Sequence, residues 1–140
     1  MASRKKKPGA EERSNGPLLR FTDDHFWVRV EDDVAQFGIS DVGQQRAGEI
    51  LAVELPEVGE RIERGEVCGE LETSRTIHEL RAPVSGTVAA TNGELEEQPN
   101  LANEDPYYEG WLVEVELDDP SELDELLSTD EYEDLVADDD

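Results

Sequence analysis

The sequence predicts a mainly β protein, a flattened barrel of two interlocked sheets, and three observations predict it. From Phe21 onward the apolar residues come in short runs separated by turn residues rather than at helical spacing. The segment Trp111-Leu112-Val113-Glu114-Val115-Glu116-Leu117 alternates with the period of a half-buried strand. Two similar units, residues 58–62 leading into 67–72 and residues 84–88 leading into 89–92, give the chain a weak internal symmetry, each placing an apolar residue before a turn glycine and a strand after it.

Taken in order, residues 1–20 hold Lys5-Lys6-Lys7-Pro8-Gly9 and Ser14-Asn15-Gly16-Pro17, which bury too little apolar area to offset the entropy of ordering. A flexible basic tail is expected there, either a docking patch or a solubilising leader. Residues 27–30 and 34–39 flank the acidic turn Glu31-Asp32-Asp33 and read as a hairpin. Ser40 or Asp41 caps a short helix through Ala47, closed by Gly48 just past its end. Residues 50–55 form a strand ended by Pro56, and residues 72–77 are expected to protrude between the two halves as a hairpin. A short helix over 93–102 is broken by Pro99. The chain ends in helical segments over 120–127 and 130–136 and a solvated acidic tail, Asp138-Asp139-Asp140, so the domain is expected to span 21–137.

At 140 residues the chain is the size of one domain, and its 36% hydrophobic residues suffice for a thin core. Residues 1–20 carry six basic and two acidic side chains, whereas residues 21–140 carry six arginines against 35 acids, a net −29. Such a surface repels phosphate backbones and anionic lipid, which argues against nucleic-acid or membrane binding and for partners with basic faces. Excess acid of this kind also suits a salt-rich cytoplasm. No apolar stretch approaches a membrane span, and a soluble, cytoplasmic protein is expected. The single cysteine, Cys68, excludes an internal disulfide and reads as a small buried strand residue. His25 and His78 are the only histidines, too few for a metal site on their own, and both are expected on strand faces. Trp27 and Trp111 are expected in the core. No nucleophile-base arrangement or phosphate loop is evident, so the chain reads as non-catalytic.

The segment Glu72-Thr73-Ser74-Arg75-Thr76-Ile77-His78-Glu79-Leu80-Arg81-Ala82-Pro83-Val84-Ser85-Gly86 carries a pattern, Glu-Ser-x-Lys-Ala, then an acid and Ala-Pro-Val-Ser-Gly, with one exchange. Together with His25 and Trp27, Gly38-Ile39-Ser40-Asp41, Gly48-Glu49-Ile50, residues 53–59, Asn103-Glu104-Asp105-Pro106-Tyr107, Gly110-Trp111-Leu112 and Pro120-Ser121-Glu122-Leu123, it resembles the glycine cleavage system H-protein family. The resemblance implies a barrel-sandwich hybrid like that of lipoyl and biotinyl carrier domains. It also implies a non-catalytic carrier whose covalent lipoyl-lysine takes an aminomethyl group from the pyridoxal-phosphate glycine decarboxylase to the tetrahydrofolate-dependent aminomethyltransferase. A flavin dihydrolipoamide dehydrogenase then reoxidises the dithiol, and a lipoate-attaching enzyme loads the lysine.

Two residues depart from the family pattern. The lysine position maps to Arg75, flanked by Glu72 and by Glu79, which keeps the acid beyond the attachment site. A guanidinium stays protonated and cannot form the lipoyl amide, and the three lysines of the chain, Lys5, Lys6 and Lys7, all lie in the tail. Phe26 stands where His-Glu-Trp in the family places a glutamate that helps hold the loaded arm. No bound cofactor and no metal is therefore expected. Arg75 is either an exposed turn residue without a task or a charged contact for a partner. The chain then reads as a non-lipoylated adaptor, competitor or regulator; the alternatives are a working carrier with unconventional attachment and a degenerate copy with no partner.

Overall fold

A computed structural model of the chain describes residues 19–139. The strands are β1 (Leu19–Phe21), β2 (Phe26–Glu31), β3 (Val34–Ile39), β4 (Ile50–Glu54), β5 (Arg61–Ile62), β6 (Val67–Thr73), β7 (Ile77–Arg81), β8 (Gly86–Thr91) and β9 (Val113–Leu117). The helices are α1 (Asp41–Ala47), α2 (Glu94–Glu97), α3 (Leu101–Glu104) and α4 (Thr129–Asp139), with a 3-10 helix at Pro120–Glu125. The strands form a six-stranded sheet, β1-β2-β3-β9-β8-β5, and a three-stranded sheet, β4-β6-β7.

The β2–β3 hairpin closes at Glu31↔Val34. Its turn contains Asp32 at φ 57°, a left-handed conformation that a short polar side chain tolerates. Along β2 the two-residue period of a strand separates two buried faces: Phe26 and Val28 join the main core, while Trp27 joins a second cluster with Leu19, Phe21 and Tyr132. The main core takes Phe37 and Val115 from the larger sheet and Leu71 and Leu80 from the smaller, all fully buried. The second cluster exists because α4 covers the outer face of β1–β2, with Tyr132 stacked on Phe21 at a centroid distance of 4.3 Å.

The hairpin of residues 27–30 and 34–39, the capped helix 41–47 and the helix break near Pro99 lie where the sequence places them. Other expectations are corrected. Leu19 and Arg20, read as part of the tail, belong to strand β1, which pairs with β2 through Leu19↔Arg29. The tail expected over 1–20 lies, up to residue 18, outside the described residues, as does Asp140. The segment read as helix over 120–127 is a 3-10 turn that ends at Glu125, and α4 runs on past residue 137 to Asp139. β9 starts at Val113, so Trp111 precedes the strand and packs, half-buried, against the second cluster. His25 is not on a strand face: it occupies a turn at φ 73°, with its carbonyl accepting the Ser40 N–H at 2.9 Å. Among the described residues no helix is long and apolar enough to cross a membrane.

Candidate functional site

The tip between β6 and β7 is built by short-range hydrogen bonds. The Thr73 hydroxyl donates to the Thr76 carbonyl at 3.0 Å and accepts the N–H groups of Arg75 and Thr76 at 3.2 and 3.1 Å. A threonine side chain that bonds the backbone two and three residues on makes a compact turn without glycine.

Residues 74–79 of the tip are exposed, and the tip is nevertheless anchored at its base. It rests on the end of α1, where the Ser74 N–H donates to the Glu49 carbonyl at 2.9 Å and Arg75 Nη1 donates to the Arg46 carbonyl at 2.7 Å. Arg46 lies in the last turn of α1, whose terminal carbonyls lack helical partners and carry partial negative charge, so a guanidinium suits the place. Ser40 caps the other end of α1 by accepting the Gly43 N–H at 3.0 Å. Gly48 ends the helix at φ 92° and ψ −168°, a conformation open essentially to glycine. A Cβ there would lie 3.0 Å from Ser74 Oγ and 3.3 Å from Arg75 Nε, so the missing side chain is the space in which the tip sits.

Beside the tip runs a half-open groove of about 490 Å³ with an apolar wall of Phe26, Leu71 and Ile77 and a polar rim that includes His78, Glu79 and Arg46. Its volume falls in the range of small-molecule sites, roughly 300–1,000 Å³. Of the residues singled out by sequence, His25, Phe26, His78 and Glu79 line this groove, Phe26 being buried to 4% exposure in the main core. Arg75 reaches its rim through Arg46 and does not line it. Glu72 is exposed on β6, opposite Ile77, away from the groove lining. Glu79 is paired with Arg81, whose Nη2 donates to Glu79 Oε1 at 2.6 Å.

The far end of the groove is tied to α4. His25 Nδ1 lies 2.7 Å from the Tyr132 hydroxyl, and the fully buried Ser40 Oγ lies 2.7 Å from the same hydroxyl. Burial holds the Tyr132 hydroxyl above its ordinary pKa, partly offset by the Ser40 bond. Cys68 packs against the core, half-buried, and burial followed by the nearby Glu60 pushes its thiol up to about 11, which makes it a poor nucleophile. Among the described residues no group of three or more His, Cys, Asp or Glu side chains is placed to hold a metal ion.

Sequence reasoning missed two contributors to the tip. Gly48 is marked in the sequence as a helix terminator and, like Asn103, as part of a motif, without a role at the tip. Asn103 Oδ1 accepts the Ile50 N–H at 2.8 Å, and its Nδ2 donates to the Gly48 carbonyl at 3.0 Å. Both partners lie more than 50 residues away in the chain, beyond the reach of a local pattern.

A family model described as Glycine cleavage H-protein matches residues 19–139. The glycine cleavage system H protein of Brevibacillus brevis is 48% identical over 118 residues, covering 84% of this chain and 94% of that protein. The protein of the same description from Staphylococcus haemolyticus is 44% identical over 119 residues, covering 85% of this chain and 94% of its own length. The crystal structure of a glycine cleavage system H protein from Mycobacterium marinum superposes with a TM-score of 0.80 at 33% identity, covering 86% of this chain and 98% of that one.

Proposed function

Because the chain belongs to the glycine cleavage H-protein family, we propose that it is a non-catalytic member of a glycine cleavage system that keeps the family's docking surface but carries no lipoyl group. The observation that carries this reading is the state of position 75. Its side chain is a guanidinium, and it is turned back onto the Arg46 carbonyl at 2.7 Å. Lipoate attachment needs an amine that loses its proton and attacks an activated carbonyl, and a delocalised guanidinium supplies none. The residues at the tip therefore do not fit the family's covalent group. Phe26 supports the same conclusion, because a buried phenyl on the groove wall offers no carboxylate to hold an aminomethylated arm.

On this reading the partners are those of the family: glycine decarboxylase, aminomethyltransferase, dihydrolipoamide dehydrogenase or the lipoate-attaching enzyme, in the cytoplasm. The protein acts there as an adaptor, competitor or regulator. The retained β6–β7 hairpin, with Glu72 exposed and Glu79 at the groove, supplies what such enzymes would contact.

The test is intact-mass measurement after co-expression with a lipoate-attaching enzyme, for the natural chain and for Arg75→Lys. The natural chain is expected to keep its unmodified mass, and Arg75→Lys to gain one lipoyl group. A lipoyl group on the natural chain would restore the carrier reading. Failure of the lysine variant to be loaded would show that the recognition surface has been lost.

A further inference from the structure

We propose that Asn103 is the positioning residue of the hairpin tip, fixing from behind the stretch 48–50 on which the tip rests. Every polar atom of its side chain is used: Oδ1 accepts the Ile50 N–H at 2.8 Å, and Nδ2 donates to the Gly48 carbonyl at 3.0 Å and to Gln44 Oε1 at 2.8 Å. The orientation of the amide is unambiguous, since a backbone N–H can only donate and a backbone carbonyl can only accept. The tip grips the same stretch from the other side, through the Ser74 N–H on the Glu49 carbonyl at 2.9 Å and the packing of Ser74 and Arg75 over Gly48.

The stretch needs such support. It leaves α1 through Gly48 at φ 92°, and the register of β4 shifts between Ile50 and Ala52, so regular pairing holds it only through Ile50 opposite Thr73. Asn103 sits on α3 and bonds α1 through Gln44, so one side chain locks helix, connection and first strand residue together. Aspartate cannot do this, because its second oxygen would face the Gly48 carbonyl, which can only accept. Leucine fills the volume but leaves the Ile50 N–H and the Gly48 carbonyl without partners. The functional consequence, that Asn103 sets where position 75 meets an enzyme, rests on the proposed docking role; the mechanical one does not.

Native-state amide exchange of the full chain tests the proposal without lipoate or partner. The reporter is the Ser74 amide, which does not touch Asn103, referenced to the Val115 amide in the middle of the larger sheet. In Asn103→Leu the Ser74 amide is expected to exchange at least tenfold faster while Val115 changes less than twofold. Asn103→Asp, which keeps the bond to Ile50, is expected to show the same pattern in milder form, and it decides the matter if the leucine variant does not fold. An unchanged Ser74 rate overturns the proposal. So does equal acceleration of Ser74 and Val115, which would make Asn103 an ordinary contributor to stability. Neither result bears on whether Arg75 accepts lipoate, so the two readings fail separately.

Discussion

Replacing Gly48 by alanine tests the seat of the tip most directly. Two costs are expected. The first is backbone strain: φ 92° with ψ −168° is a region reached essentially by glycine alone, and holding an L-residue there costs of order 1–3 kcal/mol. The second is contact, because the new methyl would meet Ser74 Oγ at 3.0 Å and Arg75 Nε at 3.3 Å. Both atoms belong to exposed side chains that can move, so this part is roughly 0.5–1 kcal/mol, the scale of the Arg75 hydrogen bond that yields. The sum is about 1.5–4 kcal/mol, measured as a lowered denaturant midpoint at constant slope. Gly59→Ala is the reference, since Gly59 has φ 91° and nothing within 4 Å of a built Cβ. It should cost only strain, roughly 1–2 kcal/mol. A double-mutant cycle then isolates the contact: in the background Ser74→Ala with Arg75→Ala, the cost of Gly48→Ala should fall by about 0.5–1 kcal/mol. If that cost is the same in both backgrounds, the tip does not rest on Gly48 and the account of the site is wrong.

Four further outcomes are expected. Tyr132→Phe keeps the 4.3 Å stack on Phe21 but removes the hydroxyl shared by His25 and Ser40, and should cost about 1–2 kcal/mol in chemical denaturation, much of it from leaving buried Ser40 short of a partner. Raising Cys68 from its ordinary 9.0 to about 11 should slow its alkylation at pH 8 about 100-fold relative to a free cysteine. Cys68, Tyr107 and Tyr132 all have raised folded-state pKa values, so the unfolded chain loses these protons first. Stability should therefore hold below about pH 8.5 and fall as pH rises toward 11, as read by melting temperature against pH. Finally, Glu54, Glu70 and Glu79 stand directly opposite one another across β4, β6 and β7. Like charges in cross-strand pairs repel, and the Debye length shrinks from about 30 Å at 0.01 M to about 3 Å at 1 M salt. Circular dichroism should show a higher melting temperature in molar salt; equal melting in dilute buffer would show that acid excess costs this fold nothing.

What could be read from sequence was what acts locally. The hairpin of residues 27–30 and 34–39 and the helix capped by Ser40 announce themselves locally, through alternation, an acidic turn and a capping hydroxyl. β1 could not be read that way, because three residues make a strand only through a partner, and Phe21 is fixed by reciprocal backbone bonds with Leu127 at 2.9 and 2.8 Å. Trp27 is buried as expected, but what could not be read is that it belongs to a second core on the other face of β2, because its cover comes from Tyr107, Trp111 and Tyr132, about eighty to a hundred residues on. At the site, Arg75 and Phe26 stood out against a motif, whereas Asn103 had no pattern to violate. Its chemistry is visible only once residues 44, 48 and 50 are brought to it.

Carrying lipoate and docking through charge would use position 75 in mutually exclusive ways. A carrier's side chain must extend from the tip and end in a neutral amide, while the side chain present folds back and gives a charged donor to the last turn of α1. That donor is exposed, so its contact is worth about 0.5–1 kcal/mol, too little to make arginine a requirement of the fold. The small value matters for interpretation: Arg75→Lys should fold as the natural chain does, because Thr73 and Ser74 hold the turn independently of the guanidinium. Loading of that variant would then report on the surface around the tip alone. With the chain's three lysines all at positions 5–7, a single lipoyl group gained by the variant and absent from the natural chain has one place to be, the amine restored at position 75.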